Sequence, residues 1–127
     1  MSFRLSERSM KRLEGVHPRL VALVKESAAL SPVDFMVTEG LRTPQRQAAL
    51  VKAGASRTLR SRHLTGHAVD VAALVEGQVR WDWPLYPQIA AAFKAAAARQ
   101  GTAIVWGGDW TRLRDGPHFE LDRRVFP

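Results

Sequence analysis

The sequence contains no cysteine. This excludes disulfide bridges and every metal site built on thiolates, so a bound metal would have to be held by His, Asp or Glu side chains. No apolar run approaches the roughly 20 residues that a membrane-spanning helix needs. The basic N-terminal segment also lacks the apolar stretch of a signal peptide. We therefore expect a protein that stays in the cytoplasm until something else releases it, without stable membrane insertion.

Acidic residues are scarce: 12 Asp and Glu stand against 19 Lys and Arg, which gives a formal net charge of +7. Such a surface suits nucleic acid, an anionic membrane or an anionic cell envelope, and it also simply favours solubility. The basic residues are scattered, with no polybasic block and no nucleic-acid-binding motif. We expect no nucleic-acid partner, and the charge by itself does not decide among the remaining interpretations.

The length of 127 residues and the hydrophobic fraction of 46% predict one domain, residues 1–127, with a core of its own. Periodicity and helix-capping residues predict helices at 5–13, 17–31, 45–53 and 84–100, and short strands at 33–37, 68–74, 79–81, 102–106 and 118–121. We expect a polar, basic loop at 55–62. Helices come first and short strands then cluster around one helix, which favours an α+β domain over a doubly wound α/β sheet.

Three of the four histidines lie in two compact segments, SRHLTGHAVD at 61–70 and DGPHFE at 115–120. In the first, Asp70 interrupts an apolar strand and shares a face with Ala68 and Ala72. A carboxylate there is costly unless it is paired or binds a cation. The alternatives are a metal ligand and an ion pair with an arginine.

His63 and His67 have the spacing of a helical HxxxH metal pair. Gly66 and the strand-like run after it argue against a helix, and Leu64 stands where an HExxH motif has glutamate. In an extended chain His67 points away from Asp70. We therefore predict that His63 is the ligand and that His67 is a neighbour lining the cleft or a structural histidine.

The second segment places His118 three residues after Asp115, with a bend at Gly116-Pro117 between them. At that offset the histidine can bind a metal while the carboxylate faces the water activated by it. An Asp-x-x-His pattern alone is a weak signal, and it becomes strong together with the His-x6-Asp segment.

These segments resemble a known family. SRHLTGHAVD is similar to the Ser-x-His-x-x-Gly-x-Ala-x-Asp motif of the D-alanyl-D-alanine and L-alanyl-D-glutamate metallopeptidases, a group that includes VanY-type carboxypeptidases and shares the hedgehog fold. WGGDW and DGPHFEL resemble the second half of that site, especially in phage endolysins that cleave L-alanyl-D-glutamate bonds. The likeness covers residues 33–121 and implies a small antiparallel sheet that holds a zinc site and packs against helices.

The resemblance also implies roles for individual residues. His63, Asp70 and His118 would be the zinc ligands, and Asp115 would be the general base, where many carboxypeptidase relatives carry Glu. Arg42 would stabilise the substrate carbonyl as it becomes an oxyanion. The alternative for Arg42 is a surface arginine before a helix.

Other positions carry less defined expectations. Ser61 matches the serine of the motif, as a hydrogen-bonding support or a substrate contact. Trp110 is expected to form a wall of the cleft, and Trp106 to belong to the core. Glu120 either orients a metal ligand or is simply a polar strand residue. The ligand types favour Zn²⁺, although Mn or Co suits the same donors.

The resulting functional prediction is a zinc-dependent peptidoglycan endopeptidase, an endolysin that hydrolyses the L-Ala–D-Glu bond of murein stem peptides. The alternative within the enzymes is a D,D- or L,D-carboxypeptidase, against which Asp115 in place of Glu argues. A catalytically silent binding module and a basic nucleic-acid-binding domain are the other classes. The expected partners are peptidoglycan and, through the basic surface, the anionic envelope. We expect a monomer that leaves the host cytoplasm through a separate pore.

Overall fold

The computed structural model describes residues 5–56, 58 and 60–127, so residues 57 and 59 of the predicted basic loop and residues 1–4 lie outside the description. The helices and strands in the described ranges are α1 (Glu7–Arg12), α2 (Pro18–Leu30), β1 (Asp34–Glu39), α3 (Pro44–Lys52), β2 (Ala68–Val75), β3 (Gln78–Arg80), α4 (Leu85–Gln100), β4 (Ile104–Trp106) and β5 (His118–Leu121). Two short 3₁₀ turns lie at Arg62–Thr65 and Gly107–Asp109. The predicted α+β class is confirmed.

The helix boundaries follow from their capping residues. The Ser6 and Thr43 hydroxyls each accept a hydrogen bond from the backbone N–H three residues later, at 3.1 and 3.0 Å, which satisfies a donor that the first turn leaves free. Pro18 and Pro44 occupy first helical positions, where no N–H is needed. Gly101, with φ of 66°, ends α4. Among the described helices, none is long and apolar enough to span a bilayer.

The sheet is antiparallel, in the order β1-β2-β5-β4, and β3 pairs with β2 outside that path. Val69 on β2 lies opposite Phe119 on β5, and both are buried in the core between the sheet and helices α2 and α4. Because side chains alternate along a strand, the next pair, Asp70 opposite His118, lies on the other face. The two central strands thus present their polar side chains together.

Strand β1 carries a bulge just before its end. Val37 pairs with Val71, but Glu39 pairs with Asp70, so β1 has one more residue than β2 at this point. A bulge of this kind turns the following side chain to the opposite face. Simple alternation from Phe35 and Val37 would direct Glu39 into the core, whereas the bulge places it on the face of Asp70.

The segment joining α1 to α2 packs directly against two glycines near the histidine motif. A Cβ at Gly40 would collide with the carbonyl oxygen of Arg12, and one at Gly66 would lie 2.6 Å from the carbonyl oxygen of Gly15. Gly66 also has φ of 73°, a conformation that glycine adopts without strain. The turns that carry Arg42 and His63 are therefore supported by backbone from the start of the chain.

Candidate metal centre and active site

Two imidazoles and one carboxylate converge where β2, β5 and the first 3₁₀ turn meet. One atom from each of His63, Asp70 and His118 lies within 4.8 Å of the others. The Oδ1 atom of Asp70 is 3.1 Å from Nδ1 of His118, and its Oδ2 atom is 3.3 Å from Nε2 of His63. The three residues singled out in the sequence are thus brought together by the strand pairing and by the adjacent turn.

Both imidazole rings are oriented by an acceptor on their outer side. The Nδ1 atom of His63 lies 2.9 Å from the carbonyl oxygen of Gly40, and Nε2 of His118 lies 2.9 Å from Oε1 of Glu120. An acceptor at the outer nitrogen favours the proton there, which leaves the lone pair of the inner nitrogen for a metal. Glu120 is therefore placed to orient a ligand, the first of its two expected roles.

The donor set fits a divalent metal. Nε2 of His63 is buried and has no hydrogen-bond partner among the described residues, although Asp70 lies close to it. A buried polar atom without a partner is unusual in a folded protein, and a metal ion would satisfy it. Two histidines and one carboxylate are typical ligands of catalytic zinc sites.

The carboxylates around His118 favour the protonated, positively charged form of its imidazole. Burial alone would lower the pKa of His118, but hydrogen bonds with Asp70 and Glu120 outweigh it and raise the pKa to about 9. Burial alone would raise the pKa of Asp70, yet the hydrogen bond with His118 and the nearby imidazole of His63 hold this pKa well below its usual range. A proton on His118 therefore competes with a metal for this place.

Arg42 is buried next to the candidate metal ligands, with 8% of its surface exposed, so its alternative assignment as a surface arginine is wrong. Its Nε and Nη2 atoms donate to the two carboxylate oxygens of Glu39, both at 2.8 Å, and Nη1 donates to Oε1 of Gln47, also at 2.8 Å. The Nη2 atom lies 3.6 Å from Asp70. Three of the five guanidinium N–H groups are thus committed, which leaves one on each terminal nitrogen.

Sequence reasoning missed both residues that hold this arginine. Glu39 could not be recognised because the bulge reverses the face that alternation assigns to it. Gln47 is the one fully buried residue of α3, whose other residues are exposed or half-buried, and nothing in the sequence distinguishes it from the exposed Gln45. Its Nε2 atom donates to the hydroxyl of Ser56 at 2.8 Å and to the carbonyl oxygen of Thr58.

A cavity of about 560 Å³ opens over this group, and Asp115, Trp110 and Ser61 all line it. The backbone of Asp115 is fixed from both sides: its N–H donates to Gly107 at 3.0 Å, and its carbonyl accepts from the N–H of His118 at 3.1 Å. Burial raises the pKa of the Asp115 carboxyl and the charge of Asp70 adds to this rise, while nearby positive groups partly offset it.

The remaining predicted residues divide into two groups. Trp110 lies beside His118, with 5.2 Å between the ring centroids, and the Ser61 hydroxyl accepts from the N–H of His63 at 3.2 Å. His67 is not brought to the cavity: its ring lies 5.5 Å from that of His17, and its Nδ1 atom is 2.7 Å from the Thr65 hydroxyl. Trp106 is 7% exposed and belongs to the core, as predicted.

Two imidazoles and a carboxylate, held by the sheet and by the adjacent 3₁₀ turn, face a cavity that also contains a fixed arginine and a second carboxylate. Such a set has the parts of a metal-dependent hydrolase. Over residues 1–126 the chain matches the model of the phage L-alanyl-D-glutamate peptidases, and it belongs to that family. The resemblance inferred from the motifs is therefore confirmed.

Individual relatives match over about three quarters of the chain or more. The L-alanyl-D-glutamate peptidase of Escherichia phage T5 is 32% identical, over 99% of this chain and 94% of its own. That of Listeria phage A118 is 36% identical over 74% of this chain, which is 32% of the relative. The crystal structure of Serratia marcescens L-Ala D-Glu endopeptidase ChiX superposes with a TM-score of 0.93 at 51% identity, covering 99% of this chain and 95% of that one.

Proposed function

We propose that this protein is a zinc-dependent peptidoglycan endopeptidase that hydrolyses the L-Ala–D-Glu bond of murein stem peptides. The observation that carries the proposal is that Asp115 and Arg42 line the same cavity as the three candidate metal ligands. The names of the phage and Serratia relatives support the choice of bond.

His63, Asp70 and His118 are the residues that would hold the metal. When bound, zinc acidifies a water molecule to a pKa near 7 and polarises a carbonyl group. The inner ring nitrogens face the Asp70 carboxylate and the outer ones are already engaged, so the set offers three ligands with no rearrangement of the sheet. Manganese or cobalt suits the same donors, and metal analysis distinguishes them.

Asp115 acts as the general base. Its carboxylate has no hydrogen-bond or ion-pair partner within the described parts of the chain, and its raised pKa makes it a better proton acceptor. It takes a proton as the water oxygen adds to the L-Ala carbonyl carbon. It returns that proton to the D-Glu nitrogen as the C–N bond breaks, so that a free carboxylate and a free amine are formed.

Arg42 stabilises the carbonyl oxygen as negative charge develops on it. The contacts with Glu39 and Gln47 fix the guanidinium in place, and its two remaining N–H groups are available to the substrate. A cation that is already oriented costs no reorganisation at the moment of reaction, which makes such a group a large catalytic contribution. Trp110 forms a wall of the cavity beside His118.

Mass spectrometry of purified peptidoglycan after digestion tests the proposal. We expect new fragments that begin with D-Glu, absent after digestion with the Asp115→Asn variant and in the presence of a chelator. Metal analysis of the variant should still find one equivalent of zinc, because Asp115 is not a ligand. Loss of only the terminal D-Ala would assign the protein to the carboxypeptidases instead, and no cleavage by the metal-loaded protein would overturn the proposal.

The proposal also covers where the protein acts and whether it acts as a monomer. The protein acts as a monomer on the wall and remains in the host cytoplasm until a separate pore releases it, while the net charge of +7 favours contact with the anionic envelope. A charge-neutralised variant with full activity on whole sacculi would contradict the role of the charge. Sedimentation analysis tests the monomer.

A further inference from the structure

The cavity has a second arginine, and its situation differs from that of Arg42. Arg114 lines the same cavity, but its Nε atom donates to the backbone carbonyl of Gly108 at 3.2 Å instead of to a carboxylate. In the described part of the chain, neither of its terminal nitrogens has a hydrogen-bond or ion-pair partner. Arg114 is an exposed residue of the cavity lining, so it adds a positive charge there, and no described residue occupies its terminal N–H groups.

The guanidinium is nevertheless held in position. Its central carbon lies 4.3 Å from the centroid of the Trp83 ring, a stacking distance for arginine on an aromatic face. Trp83 in turn stacks on Trp106, with 5.9 Å between centroids and 21° between planes, and Trp106 is buried. The preceding residue, Leu113, has φ of 53°, which is uncommon for a side chain of this type. The stacked rings of Trp83 and Trp106, together with the turn at Leu113, fix the position of the Arg114 side chain.

The other charges of the cavity define what this arginine can bind. Glu39, Asp70 and Asp115 line the cavity with carboxylates, which repel an anionic substrate group unless a cation compensates. Arg42 is already paired with Glu39. The free N–H groups of Arg114 match a carboxylate in charge and in two-pronged geometry.

We propose that Arg114 forms a subsite for the free α-carboxylate of the D-Glu residue on the leaving side of the scissile bond. This inference rests on the proposed function. In murein stems D-Glu continues the chain through its γ-carboxyl group, so its α-carboxylate stays free and is attached to the same carbon as the nitrogen that leaves. Arg114 directly precedes Asp115, which returns the proton to that nitrogen. The subsite therefore recognises the negative charge of the α-carboxylate next to the scissile bond.

The test compares two synthetic stem peptides that differ at this one group. One contains D-Glu, and the other contains D-isoglutamine, in which the α-carboxylate is an uncharged amide of nearly the same shape. A hydrogen-bonded ion pair of this kind corresponds to a preference of about 10- to 100-fold in kcat/KM for the carboxylate. In the Arg114→Gln variant we expect kcat/KM for the D-Glu peptide to fall and kcat/KM for the D-isoglutamine peptide to change little. The preference is then lost.

Two further variants separate recognition from general damage. Arg112→Gln removes the same charge from an exposed position in the same loop and should keep the full preference. Arg114→Lys keeps the charge but not the two-pronged geometry, and it should keep part of the preference. Thermal melting and zinc content establish that each variant is folded.

The outcomes distinguish the subsite from the function on which it rests. Equal cleavage of both peptides by the unaltered protein would overturn the subsite and leave the endopeptidase assignment intact. A parallel loss on both peptides in Arg114→Gln would also overturn it, because that is the result of a purely structural role. If the metal-loaded protein cuts neither peptide, the proposed function itself is overturned, and the subsite with it.

Discussion

The amide of Gln47 connects the arginine of the site to the loop on the far side of the cavity, and its replacement tests that connection. The Gln47→Met substitution keeps the length and most of the volume of the side chain but removes every polar atom. Arg42 then loses the acceptor for Nη1, and Ser56 and Thr58 lose their donor. The helix itself should persist, because methionine is a good helix former.

The loss of stability in Gln47→Met depends on which of the lost hydrogen bonds water can replace. Ser56 and Thr58 are partly or fully exposed, so solvent can take over their hydrogen bonds. The Nη1 atom of Arg42 lies in a buried contact, where an unsatisfied charged donor costs about 2–3 kcal/mol. For a domain of this size that corresponds to a decrease in Tm of about 10 °C. A guanidinium that is no longer fixed should also lower kcat about tenfold, a loss of about 1.4 kcal/mol in transition-state stabilisation.

Urea unfolding and steady-state kinetics on a stem peptide measure the two effects. Gln45→Met is the matched control, because it makes the same change at an exposed position of the same helix and should alter neither quantity. Gln47→Glu keeps an acceptor for Arg42 and should retain more activity than Gln47→Met. If Gln47→Met unfolds within about 0.5 kcal/mol of the unaltered protein and keeps its kcat, Gln47 does not position Arg42.

Two further predictions concern the candidate metal ligands. Glu120→Gln retains an oxygen near His118 but removes its charge, so zinc affinity should fall about 10- to 100-fold in competition with a chelating dye, and an unchanged affinity would contradict the orienting role. In the metal-free protein the raised pKa of His118, about 9, stabilises the fold fully below pH 6.5, and this contribution is lost as the pH rises through 9. Urea unfolding in chelator should show a decrease of up to about 3 kcal/mol over that range, and a flat profile would refute the pairing with Asp70.

Local signals were enough to predict the elements and the central polar pair. The hydroxyls of Ser6 and Thr43 and the glycine at 101 marked helix ends because capping depends only on neighbouring residues. Alternation placed Asp70 on the face opposite the core-facing valines, and Gly66 with the strand-like run after it selected His63 over His67 as the ligand. The left-handed conformation of Gly66, next to His67, agrees with the argument that this segment is not a helix.

What could not be predicted depends on contacts between distant parts of the chain. The bulge in β1 exists only relative to the register of β2, so its effect on Glu39 is invisible in a single strand. Gln47 is buried because its amide lies between Arg42 on one side and Ser56 and Thr58 on the other, not because its helix has an apolar face. Similarly, Arg114 acquires its position from Trp83, which lies about thirty positions earlier in the sequence.

The close packing of the α1–α2 connection against Gly40 and Gly66 makes the first helix mechanically part of the site, although no residue of α1 lines the cavity. The carbonyl oxygen of Gly40 orients the ring of His63, and the backbone carbonyl of Arg12 packs closely against that glycine. Fraying of α1 would remove this backbone support from the glycine whose carbonyl oxygen orients His63. We therefore expect variants that destabilise α1 to bind the metal more weakly in competition with a chelating dye, although no residue of this helix lines the cavity.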